Sequence, residues 1–427
     1  MLKIIMADGA REWKLLEQMK AREMEAGIQI TRAAGEIMEA VRQKGYEAVE
    51  EYSMRFDGAK PREIPKEEWE DAALHLPEAL RCALKKAERN LRDYHSRLLR
   101  EGGMWSSPDG GKVGRLVRPM HRVGIYVPGG TAAYPSTVLM NGVPAKVAGV
   151  EEVIMVTPPT ANLSAPVLAA AYFAGVDRIF ALGGVQAVAA LTYGAGPIPK
   201  VDKLVGPGNA YVAAAKRMAY GAVDIDMVAG PSEVLIIADE TANPVYVAAD
   251  LLSQAEHDKM ASAILLTDSL KLAQAVEKEI VRQAGTLSRR DIIEASLKDY
   301  GAAIVCTSLD QAAGIANEIA PEHLELMTAE PEALLKEIKN AGAVFLGAYS
   351  PEPLGDYMAG PDHVLPTSGT ARFFSPLSAE SFLKSTSVIA YDAAALECVQ
   401  KDIVALAQSE GLTAHANAVQ VRFEQAK

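Results

Sequence analysis

Apolar and polar positions follow two different patterns along the chain, and the change falls near residue 120. Before it, apolar residues recur at helical spacing among many charges, as in EIMEAVRQKGYEAVEEYSMRF and KEEWEDAALHLPEALRCALKKAERNLRDYHSRLL. This spacing predicts long amphipathic helices. From VGIYVPGG at 123–130 onward, short apolar strands alternate with helices of small residues such as APVLAAAYFAGV and VQAVAALTYG.

The second pattern predicts parallel β-sheets, because near-continuous apolar strands separated by helices are typical of sheets covered on both faces. The strands are too many for one compact sheet, so we expect two α/β domains joined near AGPSEV at 229–234. A final helical segment, 393–427, is broken by Gly411. The predicted strand segments are EVIMVTPP, RIFALGG, KLVGPG, EVLIIAD (233–239), SAILLTD (262–268), AAIVCTS (302–308) and AGAVFLG (341–347).

Composition narrows the classes of function. The chain of 427 residues has a formal net charge of −12, which argues against nucleic acid or an anionic membrane as the main partner. No apolar run is long enough to span a bilayer, and the start MLKIIMADGAREWKLL lacks the apolar core of a signal peptide, so we expect a cytoplasmic protein. The three cysteines are scattered without a CxxC pair, which excludes a cysteine-built zinc site.

Three glycine-rich loops follow predicted strands: VPGG (127–130), LGGVQ (182–186) and VGPGN (205–209). Ligands of open parallel sheets bind at the carboxyl ends of the strands, where these loops lie. None is a full GxGxxG, since Tyr211 stands where the third glycine of LVGPGNAY belongs. The loops favour either backbone amides that bind a dinucleotide or ordinary turns in which Asn209 is a helix N-cap.

The stretch LLSQAEHDKM (251–260) ends a predicted helix with Asn243 as its N-cap and Pro244 in its first turn. Gln254 and His257 are three residues apart, so both lie on one helix face. The histidine is either a favourable partner for the helix dipole or a metal ligand. Metal ligation requires further ligands from other parts of the chain.

Further polar side chains lie in three turn-rich segments. SPEPLGDYMAGPDHVLPTSG (350–369) carries Asp356 and His363. In SEGLTAHANAV (409–419), Thr413 is a predicted N-cap, and the helix that follows should keep His415 neutral, as a metal ligand must be. Glu410 lies at the carboxyl end of the preceding helix, where its charge is either offset by a cationic group or simply solvated.

A carboxylate and an imidazole are adjacent in NEIAPEHLEL (317–326), where Glu322 and His323 follow Pro321. They form a natural acid–base pair, provided that an irregular backbone turns both toward one site. A set of Gln254, His257, Asp356 and His415 offers two nitrogens and two oxygens, which suits Zn²⁺. The remaining histidines, which we interpret as structural or solvated, are His75, His95 and His121.

Six motifs together resemble the histidinol dehydrogenase family: SQAEHD, APEHLEL, GDYMAGPDHVLPTSGTARF, EGLTAHANAV, VAGPSEV and VGPGNAYV. Each is weak alone, but their order and spacing are specific. The resemblance implies oxidation of L-histidinol to L-histidine through the aldehyde, with two NAD⁺ in succession, one Zn²⁺ per subunit and a homodimer. It also implies an α/β fold with two Rossmann-like parallel-sheet domains plus small helical N- and C-terminal segments.

The resemblance further implies domain boundaries. They are 1–22 for an N-terminal helical segment, 23–125 with 234–377 for a first, discontinuous Rossmann-like domain, 126–233 for a second one that binds NAD, and 378–427 for a dimerisation segment.

Residue roles also follow from the resemblance. Gln254, His257, Asp356 and His415 would bind zinc, and Glu322 and His323 would be the acid–base pair. Substrate contacts would come from Ser232, His363 and Glu410 together with the zinc ligands and His323, and NAD contacts from Tyr126, Gln186 and Asn209. Glu410 and His415 would act across the dimer interface. Asp362 stands where the family more often has Asn, which we expect to raise the proton affinity of His363.

Three other functions remain open at this point. A dehydrogenase of another polar alcohol could use the same fold, although an anionic substrate would be repelled by Glu410. A zinc hydrolase would use Glu322 to activate water and leave the glycine loops structural. A non-catalytic binding protein would not need the ionisable residues that cluster in these loops.

Overall fold

The structure, a computed structural model, describes residues 2–24, 27–129, 134–159 and 163–424. By its internal contacts the chain divides into two units, one of Met1–Leu98 with Met120–Phe382 and one of Leu99–Pro119 with Leu383–Lys427. Among the described residues, every helix is too short or too polar to cross a bilayer.

In chain order the strands are β1 (Lys3–Met6), β2 (Arg62–Ile64), β3 (Gly103–Ser106), β4 (Lys112–Pro119), β5 (Arg122–Tyr126), β6 (Glu152–Thr157), β7 (Arg178–Ala181), β8 (Lys203–Val205), β9 (Asp224–Ile225), β10 (Glu233–Ala238), β11 (Ser262–Thr267), β12 (Gly301–Val305), β13 (His323–Met327), β14 (Ala343–Leu346) and β15 (Leu383–Ala390). The helices are α1 (Arg11–Met24), α2 (Gly27–Lys44), α3 (Tyr46–Phe56), α4 (Lys66–His75), α5 (Glu78–Ser96), α6 (Pro135–Val147), α7 (Ala165–Ala174), α8 (Gly184–Tyr193), α9 (Ala210–Ala219), α10 (Pro244–Ala255), α11 (Leu270–Ala284), α12 (Arg290–Tyr300), α13 (Leu309–Ile319), α14 (Pro331–Leu335), α15 (Glu352–Tyr357), α16 (Ala393–Ser409) and α17 (Thr413–Gln420).

The first unit contains two six-stranded sheets. We call the one with the order β1-β12-β11-β10-β13-β14 sheet I, and the one with the order β2-β7-β6-β5-β8-β9 sheet II. Apart from the edge strand β2, which pairs antiparallel with β7, all pairs in both sheets are parallel. In sheet I the chain passes from β10 to β11 and β12 on one side and then to β13 and β14 on the other side. In sheet II it passes from β5 to β6 and β7 on one side and then to β8 and β9 on the other. This is the doubly wound order. The predicted α/β class with two parallel sheets is therefore confirmed.

The N-terminal helices pack on sheet II, which differs from the expected grouping of 23–125 with 234–377. Buried residues of α2 and α3 share one core with β6, α8 and α9, and β2 pairs with β7. The physical reason lies in α8, which is buried along nearly its whole length. A helix that is apolar on all sides needs a second layer of structure outside it, and α2 and α3 supply that layer.

The second unit contains a small sheet beside the predicted C-terminal helices. β15 pairs antiparallel with β4, and β4 pairs with β3. Tyr391 covers Gly111 so closely that an added Cβ there would lie 2.2 Å from its ring. Gly411, with φ +72°, separates α16 from α17 as predicted, but Leu412 rather than Thr413 takes the N-cap position.

Candidate functional site

Five of the sequence-predicted residues lie at or near the amino edge of sheet I. Ser232 precedes β10, Glu322 precedes β13 and His323 is its first residue, and these two strands pair directly. Helix α10 returns to the amino edge, so its carboxyl end brings Gln254 and His257 there. Ligand sites of doubly wound sheets normally lie at the carboxyl edge, so this cluster uses the opposite end of the sheet.

An irregular backbone turns Glu322 and His323 toward each other, as the sequence requires. Ala320 ends α13 with φ +52°, a conformation that a residue with a side chain rarely adopts, and Pro321 follows it. The neighbouring segment at Gly342 approaches so closely that an added Cβ there would lie 2.5 Å from the carbonyl oxygen of Glu322. The result is a distance of 3.6 Å between Glu322 Oε2 and His323 Nδ1.

Hydrogen bonds fix the tautomer of His323. Its Nδ1 lies 3.0 Å from the carbonyl oxygen of Glu233, which only accepts, so Nδ1 carries the proton. Its Nε2 is buried, without a hydrogen-bond partner in the described part of the chain, and lies 4.0 Å from Asp356 Oδ1. Glu322 Oε2 accepts from the backbone N–H of Glu233 at 2.8 Å. His323 therefore presents a free lone pair to the site.

Burial shifts the pKa of each of these groups in the direction that favours its neutral form. It raises the pKa of Glu322 well above its usual value, and the carboxylates of Glu233 and Asp356 add to that rise. Burial lowers the pKa of His323 and of His363. Neutral histidine is the form that accepts a proton or binds a metal, so these shifts favour both roles.

A potential metal cluster joins α10 and α15. The ligand atoms of His257, Glu352 and Asp356 lie within 4.8 Å of one another. Gln254 is buried, and neither atom of its amide has a hydrogen-bond partner among the described residues. Sequence reasoning missed Glu352, although it lies four residues before Asp356 and so on the same face of α15. Ser253 Oγ donates to Glu352 Oε2 at 3.2 Å and ties the two helices together.

His363 Nδ1 lies 3.7 Å from Asp356 Oδ1, so the structure brings these two predicted residues together. The expectation that Asp362 raises the proton affinity of His363 is wrong. Burial lowers the pKa of His363, and Asp356 is the acidic neighbour that opposes this effect. The Asp362 carboxyl instead faces His95.

The other two predicted residues, Glu410 and His415, belong to the second unit. Glu410 is the C-cap of α16, as predicted, and His415 lies in the first turn of α17. Both are exposed.

The predicted nucleotide-binding residues lie at the carboxyl edge of sheet II, near its switch point between β5 and β8. Tyr126 ends β5, and its hydroxyl accepts from the N–H of Gly184 at 3.0 Å. Gln186 donates to Asp57 Oδ2 at 3.1 Å. Tyr126 and Gln186 are buried and support the loop, whereas Asn209 is exposed. Gly130 of the first glycine loop lies outside the described residues.

A buried ion pair holds the third glycine loop. Lys216 Nζ lies 2.5 Å from Asp226 Oδ1 and donates to the carbonyl oxygen of Gly206 at 2.7 Å. Asp226 Oδ2 accepts from the N–H of the same glycine at 2.8 Å. Gly206 has φ +105°, and a Cβ there would lie 2.2 Å from the carbonyl oxygen of Tyr126. The loop is thus fixed before any ligand binds.

Asn209 is the N-cap of α9, as one of the two sequence interpretations predicted, since its Oδ1 accepts from the N–H groups of Tyr211 and Val212. Asn209→Ala should lower the free energy of unfolding by about 1 kcal/mol, measured by urea denaturation. Asn209→Asp keeps the acceptor and should unfold near the wild-type midpoint. A fully stable alanine variant would show that the cap contributes nothing.

Comparison with known proteins gives a consistent result. The family model described as Histidinol dehydrogenase matches residues 20–423. The chain is 56% identical over 395 residues to a histidinol dehydrogenase of Heliobacterium mobile, covering 91% of this chain and 92% of that one. It is 50% identical over 425 residues to one of Clostridium acetobutylicum, covering 98% and 99%. The crystal structure of histidinol dehydrogenase from Elizabethkingia anophelis aligns with a TM-score of 0.93 at 36% identity, covering 99% of this chain and 98% of that one.

Proposed function

Because this chain belongs to the histidinol dehydrogenase family and is therefore an oxidoreductase of histidine biosynthesis, we propose that its amino-edge site oxidises L-histidinol to L-histidine through L-histidinaldehyde, with Zn²⁺ and NAD⁺. The observation that carries the proposal is His323 Nε2, a buried acceptor 4.0 Å from Asp356 that has no hydrogen-bond partner in the part of the chain that the structure describes. Its position suits removal of a proton from a substrate held at Asp356.

Zn²⁺ fits the cluster between α10 and α15. The amide of Gln254 is buried without a hydrogen-bond partner among the residues that the structure describes, and an uncompensated buried amide is costly unless a ligand meets it. Gln254, His257 and Asp356 would hold the ion with His415, and Glu352 would orient these ligands through Asp356 and Ser253. When bound, the ion supplies a charge that holds the amine and imidazole of histidinol and orients the alcohol carbon.

NAD⁺ fits the carboxyl edge of sheet II. Gln186 Oε1 is buried without a hydrogen-bond partner among the described residues, and the exposed Asn209 caps the helix α9 at this edge. Tyr126, Gln186 and Asn209 would line this nucleotide site. When bound, NAD⁺ supplies the hydride acceptor for both oxidations.

The residues of the chain have distinct tasks in this proposal. His323 removes the hydroxyl proton of the alcohol and later that of the hydrated aldehyde. Glu322 in its carboxylate form takes a proton from the water that attacks the aldehyde, and its raised pKa makes that carboxylate a stronger base. Ser232, His363 and Glu410 hold the polar ends of the substrate, and the Glu410 carboxylate accepts hydrogen bonds from N–H groups and disfavours an anionic substrate.

We further infer a homodimer whose sites are shared. Glu410 and His415 are exposed on the second unit, so they are accessible to another subunit. In this arrangement 378–427 supplies both residues to the partner's site. Mixing a His415→Ala variant with a His323→Asn variant should restore part of the activity, and no recovery would argue against shared sites.

The test of the whole proposal is direct. Purified protein with L-histidinol and NAD⁺ should form two NADH for each histidine, and a strong chelator should abolish both products until Zn²⁺ is restored. A chelator-resistant reaction would remove the metal from the proposal. Absence of NADH with histidinol, together with hydrolysis of an ester or amide, would favour a zinc hydrolase instead.

His257→Ala should weaken metal binding by at least about 100-fold, the upper range for loss of an outer-shell partner. The affinity is measured by competition with a chromogenic chelator, without substrate, so the result does not depend on activity. His121→Ala, an exposed histidine with a side chain 58% accessible, is the matched control and should bind the metal normally. Equal affinities in the two variants would remove His257 from the ligand set.

A further inference from the structure

The last turns of α5 hold the segment between Asp356 and His363. Asn90 Nδ2 donates to the carbonyl oxygen of Met358 at 2.8 Å. Gly360 lies against the same turn of α5, with φ +103°, and a Cβ there would lie 2.8 Å from the Asn90 carbonyl oxygen. The backbone between the two site residues is therefore tied to a helix that contributes no residue to the proposed chemistry.

The same helix places a histidine against Asp362. His95 Nε2 lies 3.9 Å from Asp362 Oδ2, and both side chains are fully buried. Neither nitrogen of His95 nor Asp362 Oδ2 has a hydrogen-bond partner among the described residues. Burial lowers the pKa of His95 to about 4 and raises the pKa of Asp362 well above its usual value. Two buried polar groups without other partners are costly, so their pairing needs a reason beyond packing.

The other oxygen of Asp362 supplies that reason. Its Oδ1 accepts from the N–H of Val364 at 2.8 Å and closes a turn around His363. An Asp that bonds the N–H two residues on restricts the backbone of the residue between them. The imidazole of His363 leaves this turn toward Asp356.

We propose that His95 and Asp362 are positioning residues, which fix the turn that aims His363 at the substrate. His95 packs against one carboxyl oxygen at 3.9 Å and limits the orientations open to the carboxyl group, and the other oxygen accepts from the backbone on the far side of His363. The inference deepens the proposed function and rests on the role of His363 as a substrate contact. Displacement of a positioned group by about 1 Å costs up to about 100-fold in rate or binding.

Three substitutions separate positioning from packing. His95→Phe fills the space but leaves Asp362 with an apolar neighbour. Asp362→Ala removes the turn. Asp362→Asn keeps Oδ1 for Val364 and offers an N–H₂ group to His95, whose other tautomer accepts it. This conservative variant should therefore recover the geometry that alanine loses. His75→Phe, in which an exposed histidine of α4 is replaced, is the matched control.

The experiment measures kcat, the KM for histidinol, the KM for NAD⁺ and the melting temperature of each zinc-loaded variant. His95→Phe and Asp362→Ala should raise the KM for histidinol by about 10–100-fold and leave the KM for NAD⁺ unchanged. Asp362→Asn should stay within about threefold of the wild type. A lower melting temperature with an unchanged KM for histidinol would show that the pair only stabilises the fold, and would overturn the inference.

His363→Ala distinguishes failure of this inference from failure of the proposed function. If His363→Ala raises the KM for histidinol but Asp362→Ala does not, only the positioning role is wrong. If His363→Ala leaves that KM unchanged, the substrate contact and the positioning role are both wrong. Should His95→Phe fail to fold, the comparison of Asp362→Ala with Asp362→Asn still decides the question.

Discussion

Replacing His323 with asparagine is expected to lower kcat for histidinol oxidation by about 10²–10⁴-fold, the usual contribution of a general base. Asparagine can still donate to the Glu233 carbonyl oxygen, as Nδ1 of His323 does at 3.0 Å. It has no group that accepts a proton at the position of Nε2. Because the proposed function assigns both oxidations to His323, both should slow by similar factors when histidinol and histidinaldehyde are supplied separately.

The pH profile adds a second readout for His323. Burial lowers the pKa of its imidazole below 6.5, so its proton-accepting form persists below that pH. The acid limb of kcat assigned to this group should therefore lie below pH 6.5 in the wild type and disappear in the variant. His121→Asn is the control for a histidine outside the site. A fall in kcat of less than tenfold would mean that another group is the base.

Glu322→Gln is expected to slow aldehyde oxidation by about 10²-fold or more while alcohol oxidation slows less than about tenfold. The amide keeps an oxygen that accepts from the N–H of Glu233, a bond of 2.8 Å in the native site, so the local fold should persist. It cannot take a proton from water. The two half-reactions therefore separate, and the variant should accumulate bound aldehyde in a single turnover.

The comparison that tests Glu322 uses histidinaldehyde supplied directly, with NADH formation followed on mixing. Glu322→Asp is the informative companion, because it keeps the carboxylate and shortens its reach. It should recover part of the aldehyde step that glutamine loses. Equal slowing of the two half-reactions in Glu322→Gln would show that this carboxyl does not activate water.

The sheets were predictable because their strands are buried on both faces, so apolar runs such as EVLIIA and SAILLT stand out in the sequence. Strands β3, β4 and β15 were not predicted, since they are largely exposed and β15 finds its partner far away in the sequence. The two long N-terminal segments with helical periodicity each contain a break between helices that the periodicity does not show, one at Gly45 and one before Glu78. Local periodicity indicates which face of an element is buried, but it does not indicate which distant part of the chain packs against that face.

The candidate site also has parts that the sequence predicts and parts that it does not. The start of α10 was predictable from Asn243 and Pro244, and the shared face of Gln254 and His257 was predictable from their spacing. The sequence indicated that Glu322 and His323 can face one site only if the backbone is irregular there, and the positive φ of Ala320 is such an irregularity. Sequence reasoning placed ligands at carboxyl ends of strands and therefore did not predict that these residues cluster at the amino edge of sheet I. The pairing of His95 with Asp362 depends on tertiary packing that no local pattern encodes.

The proposed site lies at the amino edge of sheet I, and the proposal assigns no residue at that sheet's opposite rim to the reaction. Strand β10 has 6 residues, so the two rims are about 17 Å apart. Exposed turns on the far rim, such as the one at Glu240 and Thr241, are thus natural attachment points for a fluorophore or an immobilisation tag. An enzyme tethered there would keep its working face directed toward the solution.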